Sequence, residues 1–506
     1  MAAPGTLEGL RFVNPYSALP DALYSRARPR PLAEPRLVHA DVEVGRQLGL
    51  DVAELERPEL VELVAGARAL EGMDPLAQAY SGHQFGHYVP RLGDGRAVLL
   101  GQVEVDDRVW DLQLKGAGPT EYSRGGDGRA VLRSTIREYL AGIALAGLGI
   151  PTTRALAMVS SSTPVYREQP ETGACLLRVA PSHVRFGTFE YAAYARREHL
   201  RELLERVIGW HFPQLAEQAP GPERTQAFLA EVTRRTAEVV ARWQAVGFCH
   251  GVLNTDNMSV LGLTIDYGPY GFLDGFDAGH VCNHSDHTGR YRYERQPEIG
   301  LWNLGRLAQA LRRLPEGQDD PAQAIALSLE QAHAGLEDYG RVYLRTYLGL
   351  LRDKLGLLAD LDPEDELLGN LFDLLQAEGA DYTRFFRALG EATPDDPGPL
   401  VAEVTQHPDH LRAWLAELWA RVAGERRLAG DAAEERREAM RAVNPARVLR
   451  NHLAEGAIRA TREGNLDEIE RLVRALRDPF VDDPEFCAYS AAPPEWARGL
   501  AVSCSS

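Results

Sequence analysis

The hydrophobic pattern changes character twice along the 506 residues. Up to about residue 79, Pro-rich extended pieces mix with short helical ones such as 58–70, and no function follows from that pattern. Between residues 82 and 180 the signals turn to strands: 97–103, an Asp106-Asp107 turn, 109–115, then 155–159, 165–167 and 174–179. A single strong helix interrupts them. Residues 130–148 set Val131, Ile136, Tyr139, Leu140, Ile143 and Leu145 on a broad apolar face and point Arg133, Arg137 and Glu138 elsewhere. After residue 180 the periodicity is mainly helical to about residue 422, and 424–506 read as a helical, charged tail that ends in a Pro-rich and finally Ser-rich stretch. Strands with one inserted helix, followed by helices, predict an α+β protein.

Composition narrows the partners. Asp plus Glu number 73 against 55 Lys plus Arg, a formal charge of −18, and no basic run carries interleaved aromatics, so nucleic acid is not an expected partner. Residues 1–50 have no apolar leader core, and no window approaches the roughly 20 apolar residues of a membrane span, so the expectation is a cytoplasmic chain, and nothing demands more than a monomer. Five scattered cysteines, Cys175, Cys249, Cys282, Cys487 and Cys504, do not form a secreted disulfide framework; Cys175 and Cys249 follow apolar neighbours and read as packed thiols. Lys115 and Lys354 are the two lysines in a chain that otherwise uses Arg. A lysine in that background marks a place needing a compact ammonium. Lys115 ends the alternating run from Val109, whereas Lys354 sits on the amphipathic stretch 347–358 and reads as a solvated helix residue.

The chemistry concentrates in His250-Gly-Val-Leu-Asn-Thr-Asp256-Asn257, followed by Asp266-Tyr-Gly. Protein kinases carry a His-x-Asp loop with an Asn five residues after that Asp, then an Asp-x-Gly, because one Asp takes the nucleophile's proton while the Asn and the second Asp hold magnesium on the phosphates. Both metal ligands, Asn257 and Asp266, are present, but Val252 stands where the base belongs. Valine accepts no proton. Asp256 is the nearest carboxylate able to replace it. Lys115 on a strand and Glu138 on the following helix match the kinase phosphate-pairing lysine and its carboxylate partner. Two turns share Gly-Asp-Gly-Arg-Ala-Val, at 93–98 and 126–131, and both suit close approach of backbone N–H groups to phosphate; the second is expected at a helix N-terminus. The order predicts a bilobal protein-kinase-like fold: an N-terminal extension 1–80, a small mainly β lobe 81–185, a large helical lobe 186–423 with the catalytic segment and an activation-type loop at 271–298, and a C-terminal extension 424–506.

Longer motifs make the likeness specific. Ser81-Gly-His-Gln-Phe-Gly-His-Tyr-Val-Pro-Arg-Leu-Gly-Asp-Gly-Arg, Leu112-Gln-Leu-Lys-Gly-Ala-Gly-Pro-Thr-Glu-Tyr-Ser-Arg, 250–259, Asn283-His-Ser-Asp-His and the terminal Ser-Cys-Ser-Ser resemble the selenoprotein O family, and the likeness runs from Phe12 to Ser506. The resemblance implies a pseudokinase that transfers AMP from ATP to Ser, Thr or Tyr hydroxyls of proteins, with the nucleotide inverted relative to ordinary kinases. It implies nucleotide contacts from Gly93, Gly95, Arg96, Lys115, Asp127, Gly128, Arg178, Arg185 and Asp266, a proton acceptor at Asp256, and Mg²⁺ or Mn²⁺ on Asn257 and Asp266. An inverted triphosphate needs extra cations near the interlobe connection, where Arg178 and Arg185 fall. Uridylyl transfer from UTP is not distinguished from AMP transfer.

Selenium-containing members of that family carry selenocysteine three residues from the C-terminus, where this chain has Cys504. A thiol on the tail is open to oxidants, and a reversible Cys282–Cys504 disulfide is the expectation that follows, with Cys282 on the activation-type loop as the partner. Zinc on His280, Cys282, His284, Asp286 and His287 is the rival reading, without the usual paired-ligand spacing. Two other functions stay open: an ordinary phosphotransferase, against which Val252 argues, and a non-catalytic nucleotide-binding scaffold, against which the retained Lys115, Glu138, Asn257 and Asp266 argue.

Overall fold

The computed structural model describes residues 3–316, 324–428, 430–497 and 500. Its framework is an antiparallel sheet built from β1 (Tyr24–Arg26), β2 (Arg36–Ala40), β3 (Leu76–Gln78), β6 (Ala97–Val105), β7 (Arg108–Lys115), β8 (Ala130–Val131), β9 (Arg154–Tyr166) and β10 (Pro170–Ala180). The strand order is β1-β3-β6-β7-β10-β9-β2, with β8 paired to β10. A separate two-stranded hairpin, β4 (Gly82–Gln84) and β5 (His87–Val89), lies off the sheet. The predicted strands at 97–103 and 109–115 are β6 and β7, joined at Asp106 and Asp107, both at positive φ. The three short strands expected between 155 and 179 are instead one long hairpin, β9–β10, in which the Ser-rich stretch is carried as a bulge between the Ser160–Ala174 and Pro164–Thr172 pairs.

Both faces of the sheet are buried, which explains the dense apolar content of its strands. Cys175, Leu177 and Val179 point to one side, against Leu60, Leu63 and Val64 of the 58–64 helix and Val44 of the 42–47 helix. Ala174 and Leu176 point to the other, against helix α1 (Leu132–Gly147), whose Ile136, Leu140 and Ile143 face them. The period-two alternation thus assigns each side chain its layer. The first 80 residues, silent in sequence, supply three strands and one of these covering layers.

Beyond β10 the chain is helical: α2 (Phe186–Ala195), α3 (Pro222–Ala245), α4 (Gln296–Leu311), α5 (Tyr339–Leu355), and near the end α6 (Asn451–Arg462) and α7 (Asp467–Arg477), the last two packed on α1. No helix among the described residues is long and apolar enough to cross a membrane. The Gly126–Gly128 turn is not at a helix N-terminus, contrary to expectation. β8 intervenes, and α1 begins only at Leu132.

Lys354 also departs from its expected place. It is 4% exposed, in the apolar cluster formed by Leu351, Leu355, Phe385 and Phe386, with its ammonium 4.2 Å from the Phe386 ring centre and 5.6 Å from that of Tyr382. Phe385 and Phe386 come from the 382–389 helix, remote in sequence, so no local periodicity could report the burial. Desolvation alone pulls its pKa down to about 7. An unfolded lysine titrates near 10.4, so between about pH 10.4 and 7 the unfolded chain takes up a proton that the folded chain does not. Stability is therefore lost as pH falls through that window, and below about 7 the loss is complete. The shift corresponds to at most ~5 kcal/mol, which the two ring contacts partly offset. Lys354→Met should raise stability at pH 6.5 by ~1–3 kcal/mol, with the gain shrinking above pH 10; denaturant unfolding at both pH values, with no gain at pH 6.5, would contradict the burial.

Candidate active site

β7 and β10 present one polar face to the helical half of the molecule. Asp111, Gln113 and Lys115 alternate with Leu112 and Leu114, and Arg178 lies opposite Gln113 in the β7–β10 register. Below that face α1 raises Glu138. Its Oε2 pairs with Lys115 Nζ, and its Oε1 accepts from Arg178 Nε at 2.5 Å. Arg178 continues outward, Nη1 to Gln113 Oε1 at 2.9 Å and Nη2 to Asp266 Oδ1 at 2.8 Å. Arg185, on the segment entering α2, pairs with the other oxygen of Asp266, donates to the Asp256 carbonyl at 2.6 Å and stacks 4.4 Å over Tyr80. Two carboxylates and three cations from five chain segments form one buried network.

The electrostatics follow from burial and pairing. Burial raises the Glu138 pKa, but Arg178 and Lys115 outweigh it and hold the carboxylate charged. Burial pulls Lys115 down to about 8, so it remains mostly protonated at neutral pH. For Asp266, burial is overcome by Arg185 and Arg178, which keep it well below the usual carboxylate range. Asp256 is different: burial pushes it up to about 7, against the lowering effects of Gln84 and Arg185. It sits in the Thr255–Asn257 turn, 6% exposed; its Oδ2 accepts from Gln84 Nε2 at 3.0 Å and its Oδ1 is buried without a hydrogen-bond partner. Asn257 donates its amide to the Val252 carbonyl at 2.9 Å, a bond that does not use its Oδ1.

These groups surround a cavity of about 480 Å³. Its walls include Gly93, Gly95, Arg96, Lys115, Asp127, Gly128, Arg178, Val252, Asp256, Asn257 and Asp266; Arg185 and Glu138 stand directly behind, holding Asp266, Lys115 and Arg178. Gly93 has φ +72°, and a Cβ there would meet the Tyr122 ring at 2.3 Å, so this glycine is required by the turn's own packing. Asp127 is ion-paired with Arg167 at 2.8 Å.

Sequence reasoning missed the hairpin β4–β5 as part of the site. His83 N–H donates to Thr255 Oγ1 at 2.7 Å, and Phe85 N–H donates to Tyr291 Oη at 2.8 Å, clamping the hairpin to the loop that carries Asp256. Buried Glu190 bridges His83 Nδ1 and Thr255 Oγ1, each at 2.5 Å. A Cβ on Gly82 would come within 2.5 Å of Asp256 Oδ1. The dense polar run from Ser81 was the available signal.

Cys282, the expected partner of the tail thiol, is not accessible: it is buried, its Sγ 3.4 Å from Cys249 Sγ, and burial raises its pKa well above the ordinary thiol value. Its depth follows from Gly251, whose absent Cβ leaves room for the sulfur. Cys175 and Cys249 are fully buried, as their neighbours predicted. Cys504 lies outside the described residues.

Glu138→Gln should leave Lys115 and Arg178 short of a charge in a buried setting and lower stability by ~2 kcal/mol or more, read as a fall of several degrees in Tm by scanning calorimetry. An unchanged Tm would show that the network carries no such constraint.

The chain is similar to known proteins over nearly its whole length. The family model described as "Protein adenylyltransferase SelO" matches residues 6–477. A protein nucleotidyltransferase YdiU of Myxococcus xanthus is 50% identical over 505 residues, covering 99% of this chain and all of its own. Those of Thioalkalivibrio sulfidiphilus and Bordetella petrii are 50% and 49% identical, each covering 99% of both chains. With residues of the 81–96, 112–124 and 250–259 motifs lining one cavity and the match spanning nearly its full length, the chain belongs to the SelO protein adenylyltransferase family.

Proposed function

We propose that this nucleotidyltransferase moves AMP from ATP to Ser, Thr or Tyr hydroxyls of proteins, with the nucleotide reversed in a kinase-like cleft between a strand-rich and a helical lobe, acting in the cytoplasm as a monomer. The observation that carries this reading is Asp256: a buried carboxyl near neutrality, one oxygen unpartnered, in a cavity where Val252 offers no base. In the proposed step the acceptor oxygen bonds to the α-phosphorus as the bond to the bridging oxygen of the β-phosphate breaks. The hydroxyl proton passes to the Asp256 carboxylate, and pyrophosphate leaves. A base of that acidity suits proton acceptance near pH 7.

Arg178 and Arg185 support the reversed orientation. Without nucleotide they are paired with Asp266, and Arg185 Nη2 is buried without a partner, so phosphate oxygens would meet a prearranged pair of guanidiniums. Gly93, Gly95, Arg96, Asp127 and Gly128 would complete the nucleotide's contacts. Asn257 and Asp266 offer hard oxygen donors that suit Mg²⁺ or Mn²⁺, an ion that would neutralise charge developing on phosphate oxygens. As phosphates take over the arginines, Asp266 becomes free for that role. The Cys282–Cys504 tie would require the loop around Cys282 to open first, since the thiol is buried beside Cys249.

ATP labelled at the α or γ position separates the alternatives. With a generic protein acceptor and metal, α-label on protein is expected; γ-label would indicate an ordinary kinase, and no label a scaffold. Asp256→Asn should lower α-label transfer ~100-fold or more while ATP binding by calorimetry is retained. Undiminished transfer would remove Asp256 from the reaction.

A further inference from the structure

Beside the cavity mouth, three separate segments assemble a surface of aromatic rings and unpaired arginines. The β4–β5 turn contributes Phe85, 38% exposed; the end of α2 contributes Tyr194, 40% exposed; α4 and its flanks contribute Trp302, Arg290, Arg306 and Arg313. Trp302 is sandwiched between the Arg290 and Arg306 guanidiniums at 4.6 and 4.7 Å, and Arg313 lies 4.9 Å over Tyr194. The rings are continuous through His83, which meets Trp302 at 5.4 Å and Tyr88 at 5.2 Å, and Tyr88 meets Tyr194 at 5.2 Å. None of the three arginines forms an ion pair among the described residues. Neighbouring carboxylates are already engaged: Glu294 with Arg292, Glu298 with Arg295, and Asp286 with the backbone N–H groups of Arg290 and Tyr291.

We propose that this surface docks an acidic segment of the protein substrate, flanking the hydroxyl that receives the nucleotide; the proposal rests on the protein-acceptor reading above. Charge selects the occupant. In a chain of net charge −18, three cations with no carboxylate partner among the described residues are a local exception. Guanidiniums already held within 5 Å of ring centres lose little freedom on binding a carboxylate. Position selects the role. Phe85 follows Gln84, which binds Asp256, and Tyr291 binds both Phe85 and Asn254, so the surface is fixed directly to the loop bearing the proposed base. A long polyanion such as RNA would extend past the patch over a negatively charged exterior, whereas a short acidic segment would end with it.

The test uses the full chain and two fluorescein-labelled peptides, one with a single Ser flanked by Asp and Glu, the other with Asn and Gln in their places. Anisotropy should show the acidic peptide binding about 10-fold more tightly at low salt, with the preference shrinking as salt rises. The double variant Arg306→Gln, Arg313→Gln should abolish the preference with ATP affinity unchanged, and Arg313→Gln alone, at an exposed position, should weaken it about 3-fold. Equal affinity for both peptides, a preference that survives the double variant, or tighter binding of single-stranded RNA would overturn the proposal. α-Label transfer to the neutral peptide would then leave the transfer reading standing. Acidic preference without transfer to either peptide would retain the docking surface and sink the transfer reading instead.

Discussion

Glu138 is the residue on which the site's geometry leans. It sits on α1, yet its two oxygens hold a lysine from β7 and an arginine from β10, and that arginine passes the constraint to Asp266. Sheet, helix and loop are pinned together by charges largely withdrawn from water at the cavity wall. Apolar side chains of similar size would fill such a region at least as stably, because desolvating ions consumes most of what their attraction returns. The network therefore makes better sense as a device for keeping cations aimed at the cavity. Three cations against two carboxylates leave a surplus of positive charge, the condition a polyphosphate would complete.

The β4–β5 hairpin imposes a second constraint, and it acts on the loop that carries Asp256. Its residues divide between interior and surface: Gln84 turns in to Asp256, while Phe85 turns out to the solvent. Glu190 locks the arrangement from below by joining His83 to Thr255. Any movement of the hairpin would shift both the carboxylate and the aromatic surface beside it. On the reading proposed above, a protein acceptor would meet the same element that holds Asp256.

How much of this could be read from sequence depended on whether the cause was local. Lys115 and Glu138 were legible because the alternation from Val109 and the apolar face of α1 each fix which way a side chain points, and the pair then meets across adjoining layers. The loop from His250 was legible through residue spacing alone. The role of the first 80 residues was not, since three short strands and two covering helices have no strong period and owe their form to the sheet they join. Gln84 and the arginines around Trp302 escaped for a related reason. Their significance lies in neighbours about 170 residues away for Gln84 and about 110 to 220 residues away between Phe85, Tyr194 and the α4 region. The depth of Cys282 depended likewise on Gly251, a residue whose effect is the space it leaves.

The two lysines show how one side chain serves two buried settings where arginine could not. Both are buried, and burial pulls both down, Lys115 to about 8 and Lys354 to about 7. Lys115 keeps its proton because Glu138 is in contact; Lys354 has only the Phe386 and Tyr382 ring faces. A guanidinium cannot release its proton at any relevant pH, so arginine at 354 would bring a permanent charge into an apolar cluster, while an amine can enter neutral. At 115 the requirement is reversed: a compact charge must fit beneath Arg178 against the same carboxylate, and a second planar fork would compete with Arg178 for Glu138. In a chain that otherwise uses arginine for positive charge, lysine is thus found in two places where charge must be small or dispensable.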